Sequence, residues 1–342
     1  MDIREAIKKV TVFEDLTEDE TRDVFDQIMG GEATPAQIGA FLIGLRMKGE
    51  TIEEITGAAR VIREKALKVE TGCDDLIVDT CGTGGTGKDT FNISTTVAFV
   101  VAGCGVRVAK HGNRAASGRC GSADVLEALG VGIDVPAEVS KECLERIGIA
   151  FLFAPGFHKA MKYAVGPRKE LGVRTVFNVL GPISNPAGAA CQVVGVYDEA
   201  LTEKIAQVLR NLGAGHSFVV HGMEGFDELA LSGKTKVSEL VEGSVKTYYV
   251  EPADFGMKEI SGPDIKGGTA EENARTIRSV LHGEKGPRAD IVLMNASVVL
   301  VAAGKASDFK EGVEIARVSI ESGKAEEKLE KLIRMTSKGQ GA

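Results

Sequence analysis

A Gly-Thr-Gly-Gly-Thr-Gly run at 82–87 stands between a short apolar segment, Leu76-Ile77-Val78, and a longer one, Val97 to Ala102. These lengths suit a buried strand followed by a helix, so the backbone must turn tightly between them. Glycines in such a turn let successive N–H groups approach an anion with no Cβ in the way, and the positive end of the helix adds to the attraction. Thr90, Ser94 and Thr95 bring hydroxyls that donate to phosphate or coordinate a metal. Strand-to-helix turns also hold glycine for steric reasons alone, so the neighbouring residues carry the argument. Dinucleotide and ATP fingerprints fit poorly. Asp89 occupies the place where a P-loop needs Ser or Thr, and Lys110 stands where a nicotinamide site wants an acid.

Lys110-His111-Gly112-Asn113-Arg114 follows Val106-Arg107-Val108-Ala109, which reads as a second strand. Two cations, an imidazole and an amide at a strand end are a poor way to build a core, and strand ends are where open α/β sheets bind ligands. Solvated surface charge is the plain alternative for the lysine and arginine. Ser117 to Ser122 then supplies small residues ahead of a helix from Asp124 to Leu129, a second candidate anion-binding helix start.

Three capping-box patterns, Thr17-x-x-Glu20, Thr34-Pro35-x-Gln37 and Thr51-x-x-Glu54, each precede an amphipathic stretch. Residues 1–70 are therefore expected to form a small all-helical domain, with Ile38, Phe41, Leu42 and Leu45 on one face. From Leu76 onward, short β-rich runs alternate with helical stretches: Ile149 to Phe153, Val193 to Val196, Ser217 to Val220 and Tyr248 to Val250. That alternation predicts an α/β fold with a mostly parallel central sheet over 71–342. Helices around Ala289 to Ala303 and Phe309 to Ser322 are expected to pack on it.

The glycine run, Asn92-Ile93-Ser94-Thr95, Lys110 to Arg114, the stretch from Arg174 to Pro186 and Gly225-Phe226-Asp227-Glu228 together resemble the anthranilate phosphoribosyltransferase family, over essentially the whole chain. The resemblance implies transfer of the phosphoribosyl group of 5-phosphoribosyl 1-diphosphate to the amine of anthranilate, in tryptophan biosynthesis. It implies a nucleoside phosphorylase/phosphoribosyltransferase-like architecture, with the cleft between the two domains, residues 158–186 returning to bridge it, and a homodimer formed through the helical domain. By resemblance, Gly82, Gly85, Thr86, Thr90, Asn92, Ile93, Ser94 and Thr95 hold the ribosyl diphosphate. Lys110, His111, Gly112, Asn113, Arg114, Ala115, Ala116, Ser117, Gly118 and Ser122 complete that pocket. Gly82, Asn113, His158 and Arg168 meet anthranilate, while Ser94, Asp227 and Glu228 hold Mg²⁺. Thr86 stands where the family usually has Asp, and Gly118 and Cys120 where serines are common, which puts those single contacts in doubt.

The chemistry agrees with the residue inventory. Breaking the bond from C1 to diphosphate builds positive charge on the ribose and negative charge on the leaving group, so cations and Mg²⁺ are needed at the diphosphate. The adjacent acids suit Mg²⁺, which keeps waters and one or two carboxylates beside substrate phosphates. The alternative reading is two exposed acids ending a loop. An aromatic amine has its lone pair available near neutral pH. No residue is therefore expected to act as a base, and transition-state stabilisation falls to Lys110 and the metal.

A net charge of −8 with no basic stripe argues against a nucleic-acid binder. Six scattered cysteines show neither disulfide density nor paired ligand spacing, as expected of reduced thiols. With no signal peptide and no 18-residue apolar span, a soluble cytoplasmic protein is expected. His216, His221 and His282 lie outside the motifs and read as structural or surface residues. Two competing functions remain: a pyrimidine nucleoside phosphorylase, whose lysine–serine phosphate motif is not recognisable, and a noncatalytic nucleic-acid-binding relative, which would lose the Asp-Glu pair and gain basic surface.

Overall fold

The computed structural model describes residues 1–72, 76–84, 88, 90–115, 118–260 and 265–337. It opens with four helices: α1 (Ile3–Thr11), α2 (Glu18–Gly30), α3 (Pro35–Lys48) and α4 (Ile52–Lys65). Thr17, Thr34 and Thr51 each accept a backbone N–H at N3 while Glu20, Gln37 and Glu54 bond back, so all three capping boxes form. Phe25, Ile38, Phe41, Leu42 and Leu45 make the bundle core.

The α/β part then runs β1 (Ile77–Gly82), α5 (Ile93–Gly103), β2 (Arg107–Gly112), α6 (Ser122–Ala128), α7 (Ala137–Arg146), β3 (Ile149–Phe153), α8 (Ala154–Phe157), α9 (Lys162–Leu171), α10 (Phe177–Leu180), β4 (Cys191–Gly195), α11 (Leu201–Asn211), β5 (Ser217–Gly222), β6 (Thr235–Val241), β7 (Ser244–Val250), α12 (Ala270–Leu281), α13 (Pro287–Ala302), α14 (Phe309–Glu321) and α15 (Lys324–Ser337). The strand order is β3-β2-β1-β4-β5-β6-β7, parallel as far as β5 and antiparallel for the last two pairings. The antiparallel strand β6 lay outside the sequence reading. Thr235 and Val237 are buried toward one face of the sheet, and Ser238 and Leu240 toward the other.

Helices α5, α13, α14 and α15 cover one face of the sheet. On the other face, Cys81, Val194, Val196 and Val219 share a core with α11, the bundle, and Ala164, Phe177, Leu180 and Ile183. The chain between residues 158 and 186 therefore leaves the sheet and packs against the bundle, with α9 touching α3 and α2.

The chain builds outward from β1 to β3, then returns with β4 on the other side of β1. Strand order reverses between β1 and β4, and in open α/β sheets ligands bind beyond the carboxyl ends of strands at such a switch point. Gly82 and Gly195 face each other there, with Thr83 N donating to Gly195 O at 2.9 Å.

Candidate active site

Two cavities meet at the switch point. The larger, about 490 Å³, is polar and lined by Gly82, Thr83, Gly84, Thr90, Asn92, Ser94, Thr95, Lys110, Asn113, Asp227 and Glu228, among others. The smaller, about 360 Å³, is mostly apolar, with Ile62, Pro155, Met161, Val165, Phe177 and Pro182 around His111, His158 and Arg168. Cys81, Gly82, His111, Gly112, Asn113, Arg168 and Phe177 line both.

Lys110 is 3% exposed, and Nζ donates to Thr80 O at 2.6 Å and Ser94 Oγ at 3.2 Å. Burial lowers its pKa, against the attraction of Asp79. A cation with two neutral partners, turned to a polar cavity, is suited to an anionic ligand. Thr95 Oγ1 is buried in the same cavity wall with no hydrogen-bond partner. Asn92 starts α5 and is held from two sides, donating to Cys120 O at 3.2 Å and accepting from Asn273 Nδ2 at 3.0 Å.

Asp227 lies after β5, tight against the backbone of the switch point. Oδ2 accepts from Gly84 N at 2.7 Å. A Cβ on Gly82 would stand 2.5 Å from that oxygen, and one on Gly195 would land on the Asp227 backbone. Glycine at 82 thus leaves room for the Asp227 carboxylate while its backbone lines both cavities. Neither acid is an exposed loop end: both are partly exposed, and Glu228 Oε2 is enclosed with no partner. Burial raises both carboxyl groups above their usual range, and Asp227 adds to the effect on Glu228.

In the smaller cavity the rings of His111 and His158 lie 5.0 Å apart at 57°, and both Nε2 atoms are buried without a partner. Burial first, then His158, brings His111 down to about 3; burial brings His158 to about 4. Both are neutral near pH 7. Arg168 sits 4.9 Å over the Phe177 ring. It has no acidic partner among the described residues, and burial lowers its pKa.

Some expected site residues stand elsewhere. Ile93 points into the core, 0% exposed, and lines neither cavity. Arg114 borders the larger cavity but pairs with Asp124 at 3.0 Å and Glu127 at 2.9 Å. The helix start at Ser122 is largely spent internally, since Asp124 Oδ2 takes the N–H groups of Ala115 and Gly121 and Ser122 Oγ donates to Asn113 O. Gly118 lines the larger cavity. Gly85, Thr86, Ala116 and Ser117 lie outside the described residues. The sequence reading missed Arg174, Asn178, Gly267, Gly268 and Asn273 on the larger cavity. His216 bonds Glu239, His221 bonds Val196 O, and His282 lies exposed beside Glu326, so none of the three enters the site.

Residues 4–66 match the Glycosyl transferase family, helical bundle domain, and residues 74–326 match the Glycosyl transferase family, a/b domain. The chain is 55% identical to an anthranilate phosphoribosyltransferase of Geotalea uraniireducens, over 98% of this chain and 99% of that one. Among solved structures it resembles anthranilate phosphoribosyltransferase from Thermus thermophilus (TM-score 0.92, 45% identity, 97% and 99% of the two chains). It also resembles the Saccharomyces cerevisiae enzyme in complex with PRPP (5-phosphoribosyl 1-diphosphate) and Mg (TM-score 0.90, 30% identity, 98% of each chain).

Proposed function

This chain belongs to the anthranilate phosphoribosyltransferase family, and from that premise we propose how its own residues divide the reaction. The enzyme transfers the phosphoribosyl group of 5-phosphoribosyl 1-diphosphate to the amine of anthranilate, giving N-(5-phosphoribosyl)anthranilate and diphosphate, in tryptophan biosynthesis. One observation carries the residue assignment: a polar cavity holding a buried lysine and an apolar cavity holding an arginine open onto the same few residues.

The ribosyl diphosphate lies in the larger cavity against Lys110, Thr90, Asn92, Ser94, Thr95 and the backbone at 82–84, with Arg114, Ala115, Gly118 and Ser122 along its rim. Anthranilate lies in the smaller one. Arg168 faces its carboxylate, His158 and His111 contact it as uncharged groups, and Gly82 and Asn113 border both substrates. As the bond from C1 to oxygen breaks and the bond from nitrogen to C1 forms, charge shifts toward the diphosphate. Lys110 is fixed beside it before the reaction starts, so little reorganisation is needed. Holding amine and C1 in line supplies much of the remainder, roughly 7–11 kcal/mol in well-oriented systems.

Magnesium fits Asp227 and Glu228. An enclosed carboxylate oxygen with no partner suits a cation, and two adjacent carboxylates would hold Mg²⁺ of the kind that shares its remaining ligands with substrate phosphates and water. Asp227, Glu228 and Ser94 would hold the ion where it would neutralise charge on the leaving diphosphate.

Residues 1–70 serve as one wall of the cleft and as the contact with a second copy. Val12, Phe13 and Met47 support this, each more than 60% exposed on that part. No helix among the described residues is long and apolar enough to cross a membrane. Diphosphate release from 5-phosphoribosyl 1-diphosphate, followed with and without anthranilate, tests the reaction. Release that ignores anthranilate contradicts it.

A further inference from the structure

The backbone ladder between β1 and β2 stops early. The two strands pair at Ile77 with Arg107 and at Val78 with Val108, whereas β1 stays paired with β4 out to Gly82 and β2 with β3 out to Gly112. In a parallel sheet alternate residues turn their N–H and C=O to the same neighbour. Val108 N bonds to Gly148 O on the β3 side, so Ala109 and His111 turn theirs toward β1. Beyond Val78 those groups lose their backbone partners, although the residues are buried.

Side chains take over at three of the backbone groups along this gap, Thr80 O, His111 N and Ala109 O. Lys110 Nζ donates to Thr80 O at 2.6 Å, and Asp79 Oδ1 accepts from His111 N at 3.2 Å. Asn185 Nδ2 donates to Ala109 O at 2.7 Å and to Asp79 Oδ2 at 2.8 Å, while its Oδ1 accepts from Ala187 N at 2.9 Å. Asp79 and Asn185 are 0% and 3% exposed, and neither lines a cavity. The residues they fix do line them: His111 borders both, Lys110 borders the polar one, and Pro182 and Ser184, just ahead of Asn185, border the apolar one. The strands part where the two cavities join.

We propose that Asp79 and Asn185 are a pair of positioning residues, a side-chain splice that sets the separation of β1 and β2 and thereby places Lys110 for the phosphates and His111 at the aromatic substrate. The proposal rests on the substrates assigned above. Asp79→Asn sets an amide against the Asn185 amide, so either the bond to Asn185 or that to His111 N is lost. Asn185→Ala removes both donors. Each variant is expected to fold, with a lower melting temperature, and to lose about 10- to 100-fold in kcat/KM for both substrates, as misplacement by about 1 Å does. Because the pair acts as a unit, the double variant is expected to be little worse than the worse single one. Folded variants with the parent's kinetic constants, or losses that multiply in the double variant, overturn the proposal. Amide exchange in the parent is a second readout that needs no variant. The His111 N–H is expected to exchange as slowly as the laddered Val108 N–H, and fast exchange there overturns the splice. A parent that forms no phosphoribosylanthranilate would instead refute the assigned reaction, and the exchange result would still stand.

Discussion

Gly82→Ala probes the contact that places the acids. The glycine has no left-handed φ, so alanine suits its backbone and the substitution acts through space alone. Its Cβ would stand 2.5 Å from Asp227 Oδ2 and 3.2 Å from Cγ, where ordinary contact begins near 3.4 Å. The carboxylate must therefore retreat by about 1 Å. Its 2.7 Å bond from Gly84 N then passes beyond hydrogen-bond range. A hydrogen bond to a charged group contributes about 1.5–3 kcal/mol. Binding of the Mg²⁺–phosphoribosyl diphosphate complex is expected to weaken by roughly 10- to 100-fold. Stability should fall by about 1–2 kcal/mol, because the lost bond costs about 1.5–3 kcal/mol and Gly→Ala at a compatible φ returns about 0.4–1 kcal/mol through the unfolded state.

Steady-state kinetics in varied Mg²⁺ and phosphoribosyl diphosphate, beside a melting curve, read both effects. Gly82 also borders both substrates, so a methyl there has a second way to act. Combination with Asp227→Asn separates the two: if the methyl works by moving Asp227, the double variant is little worse than Asp227→Asn alone. Multiplying losses would refute the argument. Gly195→Ala supplies the contrast. Its Cβ falls on the Asp227 main chain, which cannot swing aside, so it should cost at least about 1–3 kcal/mol of stability.

Asp227→Asn with Glu228→Gln should remove most activity and its response to Mg²⁺ while the fold survives; undiminished turnover in excess chelator refutes the metal assignment. Arg168→Ala should raise the KM for anthranilate by about tenfold or more, since a guanidinium pairs a carboxylate in a bidentate way, and change that for phosphoribosyl diphosphate far less; an equal effect on both contradicts the role. His158 is held neutral at about 4 by burial, so as pH falls below the ordinary 6.5 the unfolded chain takes up a proton that the folded one refuses. That residue costs the parent about 1.4 kcal/mol of stability per pH unit. Relative to the parent, His158→Gln should therefore gain about 3 kcal/mol between pH 6.5 and 4, and a gap that stays constant in denaturant unfolding across this window refutes it.

Local signals were legible in the sequence and long-range ones were not. The three capping boxes were read in place because each is settled within four residues. Strand β3 was read residue for residue, as its apolar run is buried on both faces. Helix α9 went unread because Pro167 interrupts its pattern, yet Pro167 is itself buried. Strand β6 also went unread, since TKVSELV carries two charges and joins the sheet antiparallel after five parallel strands. Gly267, Gly268 and Asn273 did have a signal. Thr269-x-x-Glu272 is the same capping box that marked the N-terminal helices, and a Gly-Gly before it marks a close backbone approach. A Cβ on Gly267 would strike the backbone of Thr90, and Asn273 accepts from Gly268 N at 2.8 Å.

Asn273 shows why such contacts stay hidden in a sequence. Its Nδ2 donates to Asn92 Oδ1 at 3.0 Å, an oxygen that also accepts from the Cys120 thiol at 3.4 Å. Asn92 is thus oriented by a residue 181 positions away, and its amide group passes the constraint on to Cys120 O. This arrangement also bears on the departure from serine at 120. The thiol is not turned on an incoming phosphate as a hydroxyl would be. Burial pushes it up to about 11, so it stays protonated, a weak donor within a network held by amides on both sides. A weak donor suffices at that position because the stronger bonds from Asn273 and to Cys120 O already fix Asn92, leaving Lys110, Ser94 and Thr95 as the groups that face the cavity.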